Sequence, residues 1–331
     1  MRIMFAMFLA ALVSNSYAEL VQLRQPGAKG QSLALHCIEP AKQSADAVLF
    51  IHGASFPTML AAGFEFEGKD SWMDFMANRG FVACGLDFLG FGASSRPAAM
   101  AIDPAGAVPV GLAPDAAMQI SVAVDYMIHQ YRAKRVHIVA HSWGTIPSTL
   151  YAVTHPTALS SLTLFGPIVP KAGSRAEKTD YSWWSISAQE RYGQLQFTDV
   201  LPTGMHLLDA AVDRKWAAEF AVAGPDGKSK GVGEPIKIPA GPVADINAAK
   251  ADHFPYQPLN VRIPIFVVYG SYDTVVKDTD AEAFLDRFAA SPLRWRLRID
   301  NGTHVMHLEV NRKSLYQSVL AFIATVDEKS R

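Results

Sequence analysis

Apolar positions along the chain fall into two patterns that take turns. Residues 32–38 alternate apolar and polar, as a half-buried strand does, whereas 48–51, 81–86, 136–140, 162–165 and 265–269 are short runs that are apolar almost throughout. Strands buried on both faces make such runs. Segments of helical period lie between them. One covers 72–78 and another 116–131, where Ile120, Val124, Met127 and Tyr131 share a stripe behind Pro114 and Asp115. Further helices are expected after Trp143, over 280–288 and over 313–324. Strand and helix in strict turn predict an α/β fold, a parallel sheet with helices on both faces.

The pattern stops over 168–259. That stretch carries Tyr181, Trp183, Trp184, Tyr192, Trp216 and Phe220, then a run over 224–242 in which nine of 19 residues are Gly or Pro. An inserted, mainly helical cap ending in a mobile loop is the expectation, leaving 19–167 and 260–331 as the two parts of the core. No internal repeat is visible.

The first residues belong to neither part. Met1-Arg2, an apolar run over 3–13, the polar stretch 14–16 and Tyr17-Ala18 have the build of a secretory signal peptide. Ser16 and Ala18 supply the small residues that cleavage requires, so a mature chain beginning near Glu19, secreted or periplasmic, is expected. An apolar run this short cannot cross a hydrocarbon core of about 30 Å, and no later stretch is long and apolar enough to do so. No membrane anchor is therefore expected after cleavage.

With 331 residues, 50% hydrophobic and 18% charged, the chain has apolar material for a large core. Thirty basic against 31 acidic side chains give a net charge of -1. Removing 1–18 takes one base and no acid, so no global field would draw the protein to nucleic acid. Two cysteines, Cys37 and Cys84, are too few for a disulfide scaffold, and whether they pair depends on whether their strands are neighbours. No C-x-x-C, H-E-x-x-H or EF-hand spacing supports a metal.

The candidate chemistry sits at strand ends. The run 136–140 leads through His141 into Ser142, with Ala140 two positions before it and Gly144 two after, and a helix follows. Such a serine sits on a tight, strained turn that exposes its hydroxyl and aims the helix N-terminus, with the Trp143 N–H, at a developing oxyanion. Upstream, the strand over 48–51 ends in His52-Gly53-Ala54-Ser55, where acyl transfer needs a second backbone donor. Ala54 is the first choice and Ser55 the second, with His52 holding the loop by hydrogen bonds. Asp87-x-x-Gly90-x-Gly92 follows the strand over 81–86 and allows a tight loop nearby. Downstream, Gly270-x-x-Asp273 ends one strand and Gly302-x-His304 the next. The chain order Ser, Asp, His suits a strand-end triad. His304 would take the Ser142 proton while Asp273 fixes its tautomer. Asp273 could instead cap a following helix, and His307 could replace His304. His304-x-x-His307 as a metal pair lacks further ligands.

Five motifs in this order, over about residues 32–326, resemble the α/β-hydrolase superfamily. The resemblance implies an eight-stranded, mostly parallel sheet, a cap after the sixth strand and no cofactor. It also implies an antiparallel second strand beside the fourth, which would put Cys37 and Cys84 on neighbouring strands and permit a disulfide. A serine at the elbow departs from the aspartate-nucleophile branches, haloalkane dehalogenases and epoxide hydrolases. The reading is a serine hydrolase of a small carboxylic ester or lactone, with Ser55, Phe56 and Met59 lining the substrate pocket beside the aromatic cap. An aminopeptidase, for which Glu177, Asp180 and Glu190 could bind an amine, a carbon–carbon bond hydrolase or a cofactor-free haloperoxidase would use the same triad. A lipase acting at an oil interface and a binding protein without turnover are further readings.

Overall fold

A computed structural model describes residues 18–25, 30–42, 47–68, 70–222 and 231–329. The signal-peptide reading covers residues 1–18, of which 1–17 lie outside the described residues. The strands are β1 (Glu19–Arg24), β2 (Ser32–Ile38), β3 (Ala47–Ile51), β4 (Val82–Asp87), β5 (Val136–His141), β6 (Leu159–Phe165), β7 (Trp183–Ser187), β8 (Pro235–Pro239), β9 (Ile265–Gly270) and β10 (Arg294–Ile299). The helices are α1 (Trp72–Ala77), α2 (Ala113–Tyr131), α3 (Thr145–Thr154), α4 (Ala188–Leu195), α5 (Ala210–Val222), α6 (Gly241–Lys250), α7 (Asp278–Asp286) and α8 (Arg312–Lys329).

Eight strands form one sheet in the order β1-β2-β4-β3-β5-β6-β9-β10. Only β2 runs against its neighbours, pairing antiparallel with β1 and with β4. All other pairs are parallel. This is the α/β-hydrolase fold.

The period-two alternation of the inner strands sends neighbouring residues to opposite layers. In β3, Ala47, Leu49 and Ile51 face the layer holding α2, α3 and α7, while Val48 and Phe50 face α1 and α8. Trp72 of α1 stacks on Tyr316 of α8 at 4.7 Å between ring centroids, closing that second layer. At about 1.5–3 kcal/mol per fully buried large apolar side chain, these two layers supply the drive that holds the strand ends in place. Cys37 and Cys84 stand opposite each other in the β2–β4 ladder and are joined by a disulfide.

The insertion between β6 and β9 is less helical than expected. It holds α4, α5 and α6, but also the antiparallel pair β7–β8, with Trp183 opposite Pro239 and Ser187 opposite Pro235. The run over 224–242 is thus not a loop throughout. Its second half is β8 and the start of α6, with Pro235 and Pro239 at the strand ends and Pro242 in the first turn of the helix, where a missing N–H costs least. Residues 223–230 lie outside the described residues.

Candidate active site

The turn after β5 gives Ser142 a φ of +55°, the left-handed region that L residues seldom adopt. Two features hold it there. A side chain at Gly144 would collide with the His52 carbonyl, so the chain can turn this tightly only with glycine at that position. The Thr145 hydroxyl donates to the Ser142 carbonyl at 2.7 Å, fastening the turn to the start of α3.

The structure brings the three residues of the expected triad together although 162 residues separate Ser142 from His304. His304 Nε2 lies 2.8 Å from Ser142 Oγ, and His304 Nδ1 lies 3.0 Å from Asp273 Oδ2 and 3.1 Å from Oδ1. A carboxylate only accepts, so Nδ1 carries the proton and Nε2 presents its lone pair to the serine hydroxyl. Asp273 also accepts the Val275 N–H at 2.7 Å, so it orders its own turn and the imidazole together. Helix α7 begins only at Asp278, and Asp273 does not cap it.

His307 makes no such contact. Its ring is buried beside His141 and Phe165, and burial, with His304 nearby, pushes its pKa down to about 3. His52 has both nitrogens engaged: Nδ1–H donates to the Gly53 carbonyl at 2.7 Å, and Nε2 accepts the Phe88 N–H at 3.3 Å. Burial holds this imidazole below its ordinary pKa, and it fastens the loop that carries Ala54. Trp143 is fully buried, and its backbone N–H lies in the first turn after β5, where the helix offers it no acceptor. Ser55 is buried. Phe56 is a core contact, edge-on to Trp216 at 5.4 Å. Met59 lines a cleft of about 370 Å³ with His36, Asp87, Lys215 and Glu219, and Ser142 is not among the residues of that cleft. Among the described residues, no three His, Cys, Asp or Glu side chains converge as a metal site.

Four supporting residues escape a reading of the sequence. His141 donates Nε2–H to the His304 carbonyl at 2.8 Å, and its burial keeps it neutral. Its position directly before Ser142, polar at a buried strand end, was a signal. Gly166, just past β6, has a φ of +53°, and a Cβ there would lie 2.9 Å from His304 Nδ1 and 3.0 Å from Asp273 Oδ2. The carboxylate of Glu309 accepts the Thr303 N–H at 3.1 Å and the Thr303 hydroxyl as well, holding the turn that presents His304. Asp245 of α6 accepts the Trp143 indole N–H at 2.8 Å. Nothing local in the sequence marks either acid.

Asp87 performs a structural task. Burial alone would raise its pKa, but the hydrogen bond and charge of His36, His52 and the Ala93 N–H bring it down to about 2. It ties β2, the Thr58 N–H and the Ala93 N–H to the end of β4.

A family model described as the alpha/beta hydrolase fold matches residues 46–309. The probable lysophospholipase BODYGUARD 2 of Arabidopsis thaliana is 28% identical over 161 residues, 47% of this chain and 30% of that protein. The chain therefore spans less than a third of that relative's length. Among solved structures, the esterase EaEST of Exiguobacterium antarcticum superposes with a TM-score of 0.60 at 16% identity, covering 93% of this chain and 100% of that one. The epoxide hydrolase VrEH1 of Vigna radiata gives a TM-score of 0.60 at 15% identity, covering 94% and 98%. Two structures named for different reactions at such low identity speak for the fold and not for the chemistry. The family match runs from β3 past His304 and includes every strand-end motif described above, and on that match the chain belongs to the α/β-hydrolase family.

Proposed function

We propose that this chain is a serine hydrolase that cleaves a carboxylic ester or lactone through an acyl-enzyme. The observation that carries the reading is the continuous hydrogen-bonded line from Ser142 Oγ through the His304 imidazole to the buried Asp273 carboxylate. In the first step Ser142 Oγ bonds to the ester carbonyl carbon as its proton passes to His304 Nε2. The negative charge on the carbonyl oxygen is met by the Ala54 and Trp143 backbone N–H groups. His304 then returns the proton to the departing alcohol oxygen as the ester C–O bond breaks. Water repeats the sequence on the acyl-enzyme: His304 takes its proton, its oxygen bonds to the acyl carbon, and Ser142 leaves with the proton.

The BODYGUARD 2 similarity favours a lipid-like acyl ester among the candidates. A location outside the cytoplasm fits both the leader reading and the Cys37–Cys84 disulfide, which persists in oxidising compartments. The test is a fluorophosphonate probe followed by an ester panel. Wild type should be labelled and Ser142→Ala should not, with p-nitrophenyl ester hydrolysis lost in parallel. Folded wild-type protein that resists the probe would sink the reading.

A further inference from the structure

Two segments carry the backbone N–H groups assigned to the oxyanion, and the cap grips both. On one side, Trp216 of α5 is fully buried, donates its indole N–H to the Leu60 carbonyl at 3.0 Å and meets Phe56 edge-on. Helix α5 is thereby fastened to the chain just after Ala54. On the other side, one oxygen of Asp245, Oδ2, accepts both the Trp143 indole N–H and the Ala113 backbone N–H, each at 2.8 Å. Helix α6 comes this close because Gly241 donates to the Val110 carbonyl at 2.7 Å, and any side chain at Gly241 would collide with the Gly111 backbone.

Asp245 is an expensive way to cap a helix. Ala113 opens α2, whose N-cap residue, Leu112, has no side-chain acceptor. A capping side chain at position 112 would reach the N–H of the second or third helical residue and not that of Ala113, the first, so this N–H takes its partner from elsewhere in the fold. The chain uses an acid 132 residues downstream, on helix α6 of the cap, and aims the same oxygen at the indole of the residue after the nucleophile. Burial, with Asp115 of α2 as the other charge facing it, raises the Asp245 pKa to about 6. The group is held in place at some electrostatic cost. Capping the Ala113 N–H accounts for one of the two bonds to that oxygen, and the other is accounted for by fixing Trp143.

We propose that Asp245 is a positioning residue, which from the cap fixes the Trp143 indole and through it the Trp143 backbone N–H at the oxyanion site. The inference rests on the acyl-transfer reading above. It makes the cap part of the machinery that stabilises the transition state, so that displacing α6 from the elbow lowers turnover even when the triad is intact.

The test uses Asp245→Ala, Asp245→Asn, Trp143→Phe and the double variant Asp245→Ala/Trp143→Phe, with p-nitrophenyl acetate and a fluorophosphonate as probes. Asp245→Ala should lower kcat and the labelling rate on the order of 10-fold, with KM within about twofold, because the interaction acts on the transition state. Asp245→Asn should recover most of the loss, since an amide oxygen can accept both N–H groups. Trp143→Phe should match Asp245→Ala, and the double variant should be no worse than the poorer single variant, as expected of two ends of one contact. The proposal is overturned if Asp245→Ala lowers only Tm while kcat holds, or if the two losses multiply. A wild type that the probe never labels overturns the acyl-transfer reading and this proposal with it, whereas a labelled wild type with an indifferent Asp245→Ala overturns the proposal alone.

Discussion

Which imidazole acts is decided by what each nitrogen touches. His304 has a hydroxyl on one side and a carboxylate on the other, whereas His307 is enclosed by rings, and neither of its nitrogens has a hydrogen-bond partner among the described residues. His304→Gln should therefore cost at least about 10³-fold in kcat, while His307→Gln should lower Tm and cost far less activity. Equal losses in kcat would count against the assignment. Glu309 offers a pH test at the same scale. Burial, with a further push from Asp273, raises its pKa from 4.5 to about 7 against the pull of the Thr303 donors. Between those two values the folded chain holds a proton that the unfolded chain has released, so Glu309 makes wild-type stability fall as pH rises through this window. Glu309→Gln cannot titrate. The variant's Tm relative to wild type should then rise from about pH 5 to about pH 8, and a difference that stays constant with pH would refute the assignment.

Elements bring these residues together by ending at one edge of the sheet, and the tolerance that bears directly on the triad is at the end of β6. Gly166→Ala would force a methyl group against His304 Nδ1 and Asp273 Oδ2 at a φ of +53°, so the imidazole must shift from its line between Asp273 and Ser142. A misplacement of that kind costs on the order of 10²-fold in kcat. Steady-state kinetics that find the Ala variant within twofold of wild type would rule out this tolerance. Elements buried on both faces were legible in the sequence, because short, mostly apolar runs such as those of β5 and β9, rich in Val and Ile and bounded by turn residues, fit a buried strand better than a helix. Their end-of-strand motifs were legible for the same reason. Edge and cap strands were not. Strand β1 has a single partner and an exposed Leu20, so its pattern carries little apolar signal. Strands β7 and β8 pair across about 50 residues, and proline at both ends of β8 made the segment read as a loop. Glu309 acts through Thr303, six residues away across an irregular turn, and Asp245 through Trp143 and Ala113, 102 and 132 residues away. Single-sequence patterns do not record such contacts.

At the scale of the whole molecule, β1 and β2 form one margin of the eight-stranded sheet, and they are the only strands of that sheet joined by antiparallel pairing alone. The disulfide sits at this margin, tying β2 to β4 across 47 residues of chain. Strand β4 ends in Asp87, whose carboxylate orders the loops at Thr58 and Ala93, so whatever holds β2 against β4 also steadies the approach to the oxyanion loop. Closing a loop of this length removes entropy from the unfolded chain worth about 4 kcal/mol. The double variant Cys37→Ala/Cys84→Ala should accordingly melt roughly 6 °C below wild type, given the unfolding entropy of a chain this size. Reduction of the wild type should reproduce the shift, because both treatments remove the same constraint from the unfolded state. Activity at low temperature should remain near wild type. The hydrogen bonds of the β2–β4 ladder and the bond from His36 to Asp87 persist without the sulfurs, and neither cysteine reaches Ser142, Asp273 or His304. Calorimetry with and without reductant, alongside fluorophosphonate labelling, separates the two effects. A melting point unmoved by loss of the sulfurs would mean that the ladder alone secures this margin. Labelling lost together with the bond would mean that the edge of the sheet and the active site are coupled far more tightly than the hydrogen bonds of Asp87 require.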